Sequence, residues 1–349
     1  MSVPDPSAPR KPSRLRLYIA FGIALVFVVG WSAAWIWARG EARDRMDAGV
    51  AMLRQAGYEV AWRKREIGGY PFRLNVALTE ARIRDRSGWA LDAPSLEAQA
   101  FLHAPTHWIV AAPQGLTFTR PIGGPVAVSG KLIRASISHL GNTPPNVSFE
   151  GVDLAFQPAA GANPFSLQAA ERVEFHLRQA PSAVGDEAGV WLSVKNGKAQ
   201  LSGLLGRIAG DKPISIEWDG RISKVSALRG DDWPSAVRAW SRAGGRMDVK
   251  RGGLTAGDAL IGVNSGSLGV GSDGRATGVL DVSLRQAPQA LATLGRTGTI
   301  PQDRAQAAAA VAEARETGDL ARATLNFEAG QTTLGPVAIA PAPKVYEPR

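Results

Sequence analysis

Cysteine is absent from the 349 residues, and histidine occurs only four times. Without cysteine there is no disulfide framework, thiolate nucleophile, Cys-bound zinc or iron–sulfur cluster. Four histidines leave little for general-base or metal chemistry. The serine-hydrolase elbow Gly-x-Ser-x-Gly is missing, and so is a phosphate-binding Gly-x-x-x-x-Gly-Lys-Ser/Thr. Long runs of one charge are missing too. The formal charge is +9, but basic residues are scattered and often neighbour acids, as in Arg82-Ile83-Arg84-Asp85-Arg86. A nucleic-acid binder concentrates its charge in a patch or along a helix, so no nucleic-acid partner is expected. Hydrophobic residues make up 45% of the chain, enough for a core, and this excludes disorder over most of its length.

What is present begins with a charge-free run, Leu17 to Ala38, reading LYIAFGIALVFVVGWSAAWIWA. At ~1.5 Å per residue, such a helix spans the ~30 Å hydrocarbon core of a bilayer. It exceeds the apolar centre of a secretory signal, about 7 to 15 residues, and closes on Trp31, Trp35 and Trp37, which suit an interfacial belt. An uncleaved anchor is expected, with cleavage near Ser32-Ala33-Ala34 as the alternative. Arg10, Lys11, Arg14 and Arg16 precede the run, whereas Arg39, Arg43 and Arg45 beyond it alternate with Glu41, Asp44 and Asp47. A short basic tail before a first apolar segment favours a cytoplasmic N-terminus, which puts the bulk of the chain across the membrane. In a Gram-negative bacterium that is a single pass through the inner membrane with a periplasmic domain.

Residues 1–16 therefore read as a basic tail, 17–38 as the anchor and 39–57 as a juxtamembrane helix carrying Met46, Val50 and Leu53 on one face. Gly57 stops that helix. Over 58–343 the period changes to two. Phe72, Leu74, Val76 and Leu78 alternate with polar or small residues, and similar runs recur at Leu96/Ala98/Ala100/Leu102, Ile133/Ala135/Ile137, Val152/Leu154/Phe156, Val173/Phe175/Leu177, Val190/Leu192/Val194 and Ile214/Ile216/Trp218. Gly123-Gly124-Pro125, Gly141-Asn142-Thr143-Pro144, Asn196-Gly197 and Asp219-Gly220 read as turns between them. Helices are expected at Asp232 to Ala243, Pro288 to Gly295 and Gln302 to Thr317. Strands follow at Ala323/Leu325/Phe327 and Val337/Ile339, and 344–349 form a tail. The fold class is mainly β: an elongated curved antiparallel sheet or incompletely closed barrel with a few helices, after one transmembrane helix. Phe72, Leu74, Val76 and Leu78 are the candidate lining of an apolar groove.

Other motifs weigh against catalysis. Gly269-Val-Gly271-Ser-Asp-Gly274 matches a dinucleotide fingerprint, but a strand-like stretch follows where a helix is required, so a hairpin is expected. His103 and His107 have the i, i+4 spacing of helical zinc ligands, with Pro105 between them to forbid the helix. His139 and His176 stand alone in sequence. Asp231, Asp232 and Asp281 suit caps or solvent, and Trp62, Trp89, Trp108 and Trp218 suit a core. No catalytic residue, cofactor or metal ligand is assigned, and no enzyme is expected.

The most distinctive segment is Gly68-Gly69-Tyr70-Pro71-Phe72-Arg73-Leu74. Its glycines permit positive φ and Pro71 suits a strand start, so Gly68, Gly69 and Pro71 read as a structural turn rather than Tyr70 or Arg73 as a ligand contact. This segment follows a basic tail, a Trp-ended anchor and Ala-Gly-Tyr-Glu-Val at 56–60, and Leu-Gly-Pro-Val-Ala-Ile-Ala-Pro-Ala-Pro stands at 334–343. In that order the chain resembles the bacterial family called domain of unknown function 2125. The resemblance implies no activity. The layout is also similar, more loosely, to membrane-anchored periplasmic proteins whose long curved sheets handle lipids. The functional expectation is a membrane-tethered protein binding a lipid or other amphiphile in an apolar β-groove. A non-catalytic scaffold or assembly partner for envelope proteins is the alternative.

Overall fold

The structure is a computed structural model, and it describes residues 14–180, 185–201, 206, 209–230, 232–257, 259–285, 287–296, 298, 300–314, 316–317 and 320–346. Arg10, Lys11, Asp231, Gly318 and the end of the expected tail lie outside these residues. One helix, α1 (Arg14–Gln55), merges the anchor and the juxtamembrane helix without a break. It stops at Gly57, whose φ of 89° is open to glycine, with Tyr58 N–H bonding back to Leu53 O.

The strands are β1 (Glu59–Ala61), β2 (Lys64–Gly68), β3 (Arg73–Arg84), β4 (Ala90–Phe101), β5 (Ala104–Ala111), β6 (Leu116–Arg120) and β7 (Gly124–Ser129). They continue as β8 (Leu132–Ser138), β9 (Asn146–Pro158), β10 (Leu167–Gln179), β11 (Glu187–Ala199) and β12 (Ile214–Ser223). A 3-10 turn at Val225–Ala227 and α2 (Trp233–Arg242) precede β13 (Met247–Ala256), β14 (Ala259–Val270) and β15 (Ala276–Arg285). Helices α3 (Ala287–Arg296) and α4 (Gln302–Glu313) then lead to β16 (Glu316–Thr317), β17 (Leu320–Glu328), β18 (Gln331–Leu334) and β19 (Val337–Pro341).

All nineteen strands join one antiparallel sheet. It is a meander in which some positions are filled by two short strands end to end. β1 and β2 both pair with β3, β5 and β6 both with β4, and β7 and β8 both with β9. Among the described residues no ladder joins β1 or β2 to β18 or β19, so the sheet is incompletely closed.

One face is apolar from end to end, because register keeps the alternation in step from strand to strand. Leu74 opposes Ala100, Ala98 opposes Val110, Phe149 opposes Phe175, Phe175 opposes Leu192 and Leu192 opposes Trp218. Farther on, Val263 opposes Val282 and Val282 opposes Ala323. In its second half α3 and α4 cover this face. The core there gathers Val263, Val282, Leu291, Ile300, Ala305, Ala308 and Leu334. Alanines of α4 let the helix approach the strands closely.

Several expectations change on contact with the structure. Asn196-Gly197 is a bulge inside β11, and Asp219-Gly220 runs on as β12 opposite an extra residue, Lys250, in β13, so neither pair is a turn. Asn196 reaches φ 47°, which asparagine tolerates, so the strand absorbs it and continues. Val152, Leu154 and Phe156 do not form one stripe. Asp153 at φ 52° breaks the alternation, and Leu154 and Phe156 join the cluster of Phe149 and Val173 without Val152. The helix expected to Thr317 ends at Glu313, and Glu316–Thr317 turn back to pair with β17. Lys344–Tyr346 are not free: Lys344 bridges to Arg275, and Tyr346 is buried beside Val237 and Trp240.

Candidate functional site

The sequence Asp232-Trp-Pro-Ser235 starts α2 with a capping box: Ser235 N–H donates to Asp232 Oδ1 at 2.8 Å, and Pro fits the first turn. That cap fixes the helix with Trp233, Val237 and Trp240 toward the sheet. Trp240 Nε1 donates to Ser223 O at 2.7 Å, Ser241 Oγ to Val270 O at 2.6 Å and Trp233 Nε1 to Val345 O at 3.0 Å. With the indole donors paired, the remaining ring surface is free to be apolar wall. Between α2 and the ends of β12–β15 lies a cavity of about 200 Å³, lined by Trp233, Val237, Trp240, Ile222, Leu228, Met247, Leu268 and Val270 among others. Gly269 also lines it, from the hairpin that carries the dinucleotide-like pattern. Gly271 N–H and Arg275 O close that hairpin at 2.8 Å.

From the cavity the apolar face runs back along the meander. Phe175, Leu177, Val190 and Leu192 line it half-buried. Farther back, Leu96, Phe118, Phe149, Phe156 and Val173 converge on Ala112, Val128, Ile133 and Leu154. Side chains from β4 and β10 meet the same small cluster, as they do inside a curved sheet.

The four groove candidates separate. Leu74 and Val76 are buried, at 4% and 7% exposure, and Leu78 is partly so. Phe72 lies beyond the end of β3 and is 64% exposed, with its ring 6.1 Å from that of Trp31. Of the turn residues, Gly68 ends β2 with no positive φ, and Pro71 lies between β2 and β3. Gly69 has φ 102°, and a Cβ there would stand 2.6 Å from Arg73 O. The Tyr70 hydroxyl meets Ser32 Oγ of α1 at 2.9 Å, and the Arg73 guanidinium lies over Phe101 at the end of β4.

The opposite face is polar. A recess of about 270 Å³ there is lined by His107, Arg134, Ser136, Ser148, Glu150, Glu174 and His176, together with Ile109, Ala135 and Phe149. Glu150 accepts from Arg134 at 2.6 Å and from Arg172, and these bonds hold its carboxyl below the usual range. His176 Nδ1 lies 2.9 Å from Ser148 Oγ, with its ring stacked on Trp191. Sequence reasoning did not bring these residues together, because they come from four strands and only register makes them neighbours. A hydroxyl beside an imidazole resembles a nucleophile and its base, but a catalytic set also needs an orienting acid and an oxyanion site. Of the two acids in the recess, Glu150 is held by Arg134 and Arg172, and Glu174 lies 3.6 Å from Arg172. The His103 ring lies tilted against Phe101, with centroids 5.2 Å apart, and among the described residues no three His, Asp or Glu side chains gather as a metal site.

Residues 35–343 match the profile of one bacterial family, covering the sheet, the described helices after α1 and the last turn of the apolar run. The chain belongs to the family described as uncharacterized protein conserved in bacteria (DUF2125). No curated protein and no solved structure matches it. The family match thus agrees with the end motifs at 56–74 and 334–343, and the reading of the site rests on its geometry.

Proposed function

We propose that this protein is a membrane-anchored, non-catalytic binding protein that holds the acyl chain of a lipid or comparable amphiphile against the apolar face of its sheet. The observation that carries this reading is the cavity beneath α2, whose wall is almost wholly hydrocarbon and whose indole N–H groups are already paired. At about 30 Å³ per water-sized group, it holds roughly half a dozen methylenes. Each methylene withdrawn from water contributes about 0.8 kcal/mol. The half-buried Phe175, Leu177, Val190 and Leu192 continue the same surface. The basic residues ahead of Leu17 support a sheet on the non-cytoplasmic side, which is the periplasm in a Gram-negative cell.

The edges of the sheet favour binding on its face over assembly by strand addition. α1 runs beside β1 and β2, with Arg54 donating to Val60 O at 2.8 Å and Arg65 paired to Asp47 at 2.6 Å. α4 packs against β19. An edge guarded in this way is a poor template for another chain. Native mass spectrometry of the full chain, extracted gently in mild detergent, tests the reading: a co-purified lipid is expected, together with saturable uptake of a fluorescent fatty acid. A lipid-free protein that takes up no probe would overturn it and leave the scaffold role.

A further inference from the structure

The turn between β2 and β3 meets α1 below the end of the charge-free run. That run closes at Ala38, and Arg39 is the first charge beyond it. Trp31 lies seven residues earlier, about 10 Å along the helix axis at ~1.5 Å per residue. Its Nε1 nevertheless donates to Pro71 O at 2.7 Å, and Trp35 Nε1 donates to Arg73 O at 3.0 Å. Ser32 Oγ donates to Val28 O at 2.7 Å, which leaves the Tyr70 hydroxyl to donate to Ser32 Oγ at 2.9 Å. Phe27 stacks on Trp31 and Trp31 packs on Phe72, each pair at 6.1 Å, so a row of rings leads from the apolar helix into the turn.

These contacts have the chemistry of a water-poor medium. Where no water is present, a polar group left unpaired is costly and has to be satisfied within the protein. Both indole N–H groups, both hydroxyls and the Pro71 and Arg73 carbonyls are satisfied between helix and turn, and Pro71 brings no N–H of its own. Phe72 stands outside this network, 64% exposed, and the Tyr70 ring, with its hydroxyl paired, is 52% exposed. At the level where charge resumes, the Arg39 guanidinium folds over Trp35 and that of Arg73 over Phe101, the amphipathic arrangement of an interface.

We infer that the Gly68–Phe72 turn is a membrane-inserted lip, immersed in the non-cytoplasmic leaflet beside α1, with Tyr70 and Phe72 in contact with lipid. This rests on α1 as the membrane span, and it does not depend on what the sheet binds. It gives the Gly-Gly-Tyr-Pro-Phe segment a partner, the bilayer itself. It also sets Leu74, the first buried residue of the apolar face, two residues from the leaflet.

Because the chain has no cysteine, a single introduced one is the sole label site. The full-length protein is reconstituted in liposomes of phosphatidylethanolamine and phosphatidylglycerol and labelled with an environment-sensitive fluorophore at Phe72→Cys. Tyr70→Cys is the second lip site, Val26→Cys reports α1, and Ile122→Cys, 86% exposed at the opposite end of the sheet, reports water. The expected result is blue-shifted emission at 72, 70 and 26, quenched by lipids bearing an acyl-chain nitroxide and shielded from aqueous iodide, with the reverse at 122. Nitroxide quenching at 26 with iodide quenching at 72 and 70 would overturn the lip while leaving the anchor standing. Iodide quenching at all four sites would remove anchor and lip together. No amphiphile uptake enters the measurement, so either failure is distinct from failure of the binding role.

Discussion

Strands β13–β19 and strands β3–β11 present the same apolar face, yet the first group is roofed by α3 and α4 while the second is not served in the same way. In the second half, helix residues Leu291, Ala305, Ala308 and Ala312 fill the core alongside Val282 and Leu334. In the first half, the cluster around Val128, Ile133 and Leu154 is built from strand and turn residues alone, with phenylalanines at its margin. Between them Phe175, Leu177, Val190 and Leu192 stay half-buried. Uncovered apolar surface forfeits about 25 cal/mol per Å². Among the described residues two helices roof one half and none roofs the other, a difference that the proposed binding face requires.

The comparison can be broken first where it is largest. Leu334, 1% exposed in the roofed core, should cost about 2–5 kcal/mol as Leu334→Ala, since the surrounding helices relax only partly into the gap. Thermal unfolding of the full chain in detergent reads this directly. A change within error would mean that the second half is not the rigid part of the molecule. Leu74→Ser belongs with this class, because its site is closed.

Next comes the lip end of the unroofed half. Gly69→Val should cost about 1–3 kcal/mol, since the side chain meets φ 102° and the Arg73 carbonyl at once. The loss should appear as weakened hydrogen-exchange protection in β2 and β3 while β14 and β15 keep theirs. Equal loosening everywhere would show that the two halves unfold as one unit.

Leu192→Ala tests the unroofed face itself. The half-buried site should cost about 1 kcal/mol, near the centre of the range for point substitutions. Uptake of the fluorescent fatty acid should weaken at the same time. A cost as large as that of Leu334→Ala, with uptake unchanged, would make the middle of the sheet ordinary core.

Much of this architecture is legible in the residue pattern. The alternation at Val173/Phe175/Leu177 and Val190/Leu192/Val194 is local, and burial on one side of a strand enforces it directly. Asn196-Gly197 and Asp219-Gly220 are harder to place: the positive φ of Asn196 suits a turn or a bulge, an Asp-Gly pair also fits a continuous strand, and only the partner strand decides between them. The cavity and the lip are less legible still. Trp233 meets Val345 across 112 residues and Trp31 meets Pro71 across 40, and no periodicity carries such pairings. The Gly-Gly-Tyr-Pro-Phe segment could be read as a turn from glycine and proline chemistry, but not as a turn against the anchor.

The smallest effect concerns the outer faces of the two halves. On β8–β10 the polar face is ionic: Arg134 and Arg172 both hold Glu150, and Arg172 also reaches Glu174 at 3.6 Å. On β14 and β15 it is built of Asn264 donating to Ser283 at 2.8 Å and Ser265 donating to Asp281 at 3.0 Å. Glu150 has its pKa lowered chiefly by hydrogen bonds from Arg172 and Arg134. A carboxyl depressed in the folded state contributes stability above its unfolded pKa of about 4.3 and loses it as pH falls through the lower folded value. Acidification through that window should therefore loosen β8–β10 before β14–β15, as read by hydrogen exchange. Glu150→Gln should remove that part of the pH dependence and, because the pairs are partly solvated, cost no more than about 1 kcal/mol at neutral pH. If acid loosens β14–β15 first, or if Glu150→Gln leaves the pH profile of β8–β10 unchanged, the ionic network does not distinguish the halves.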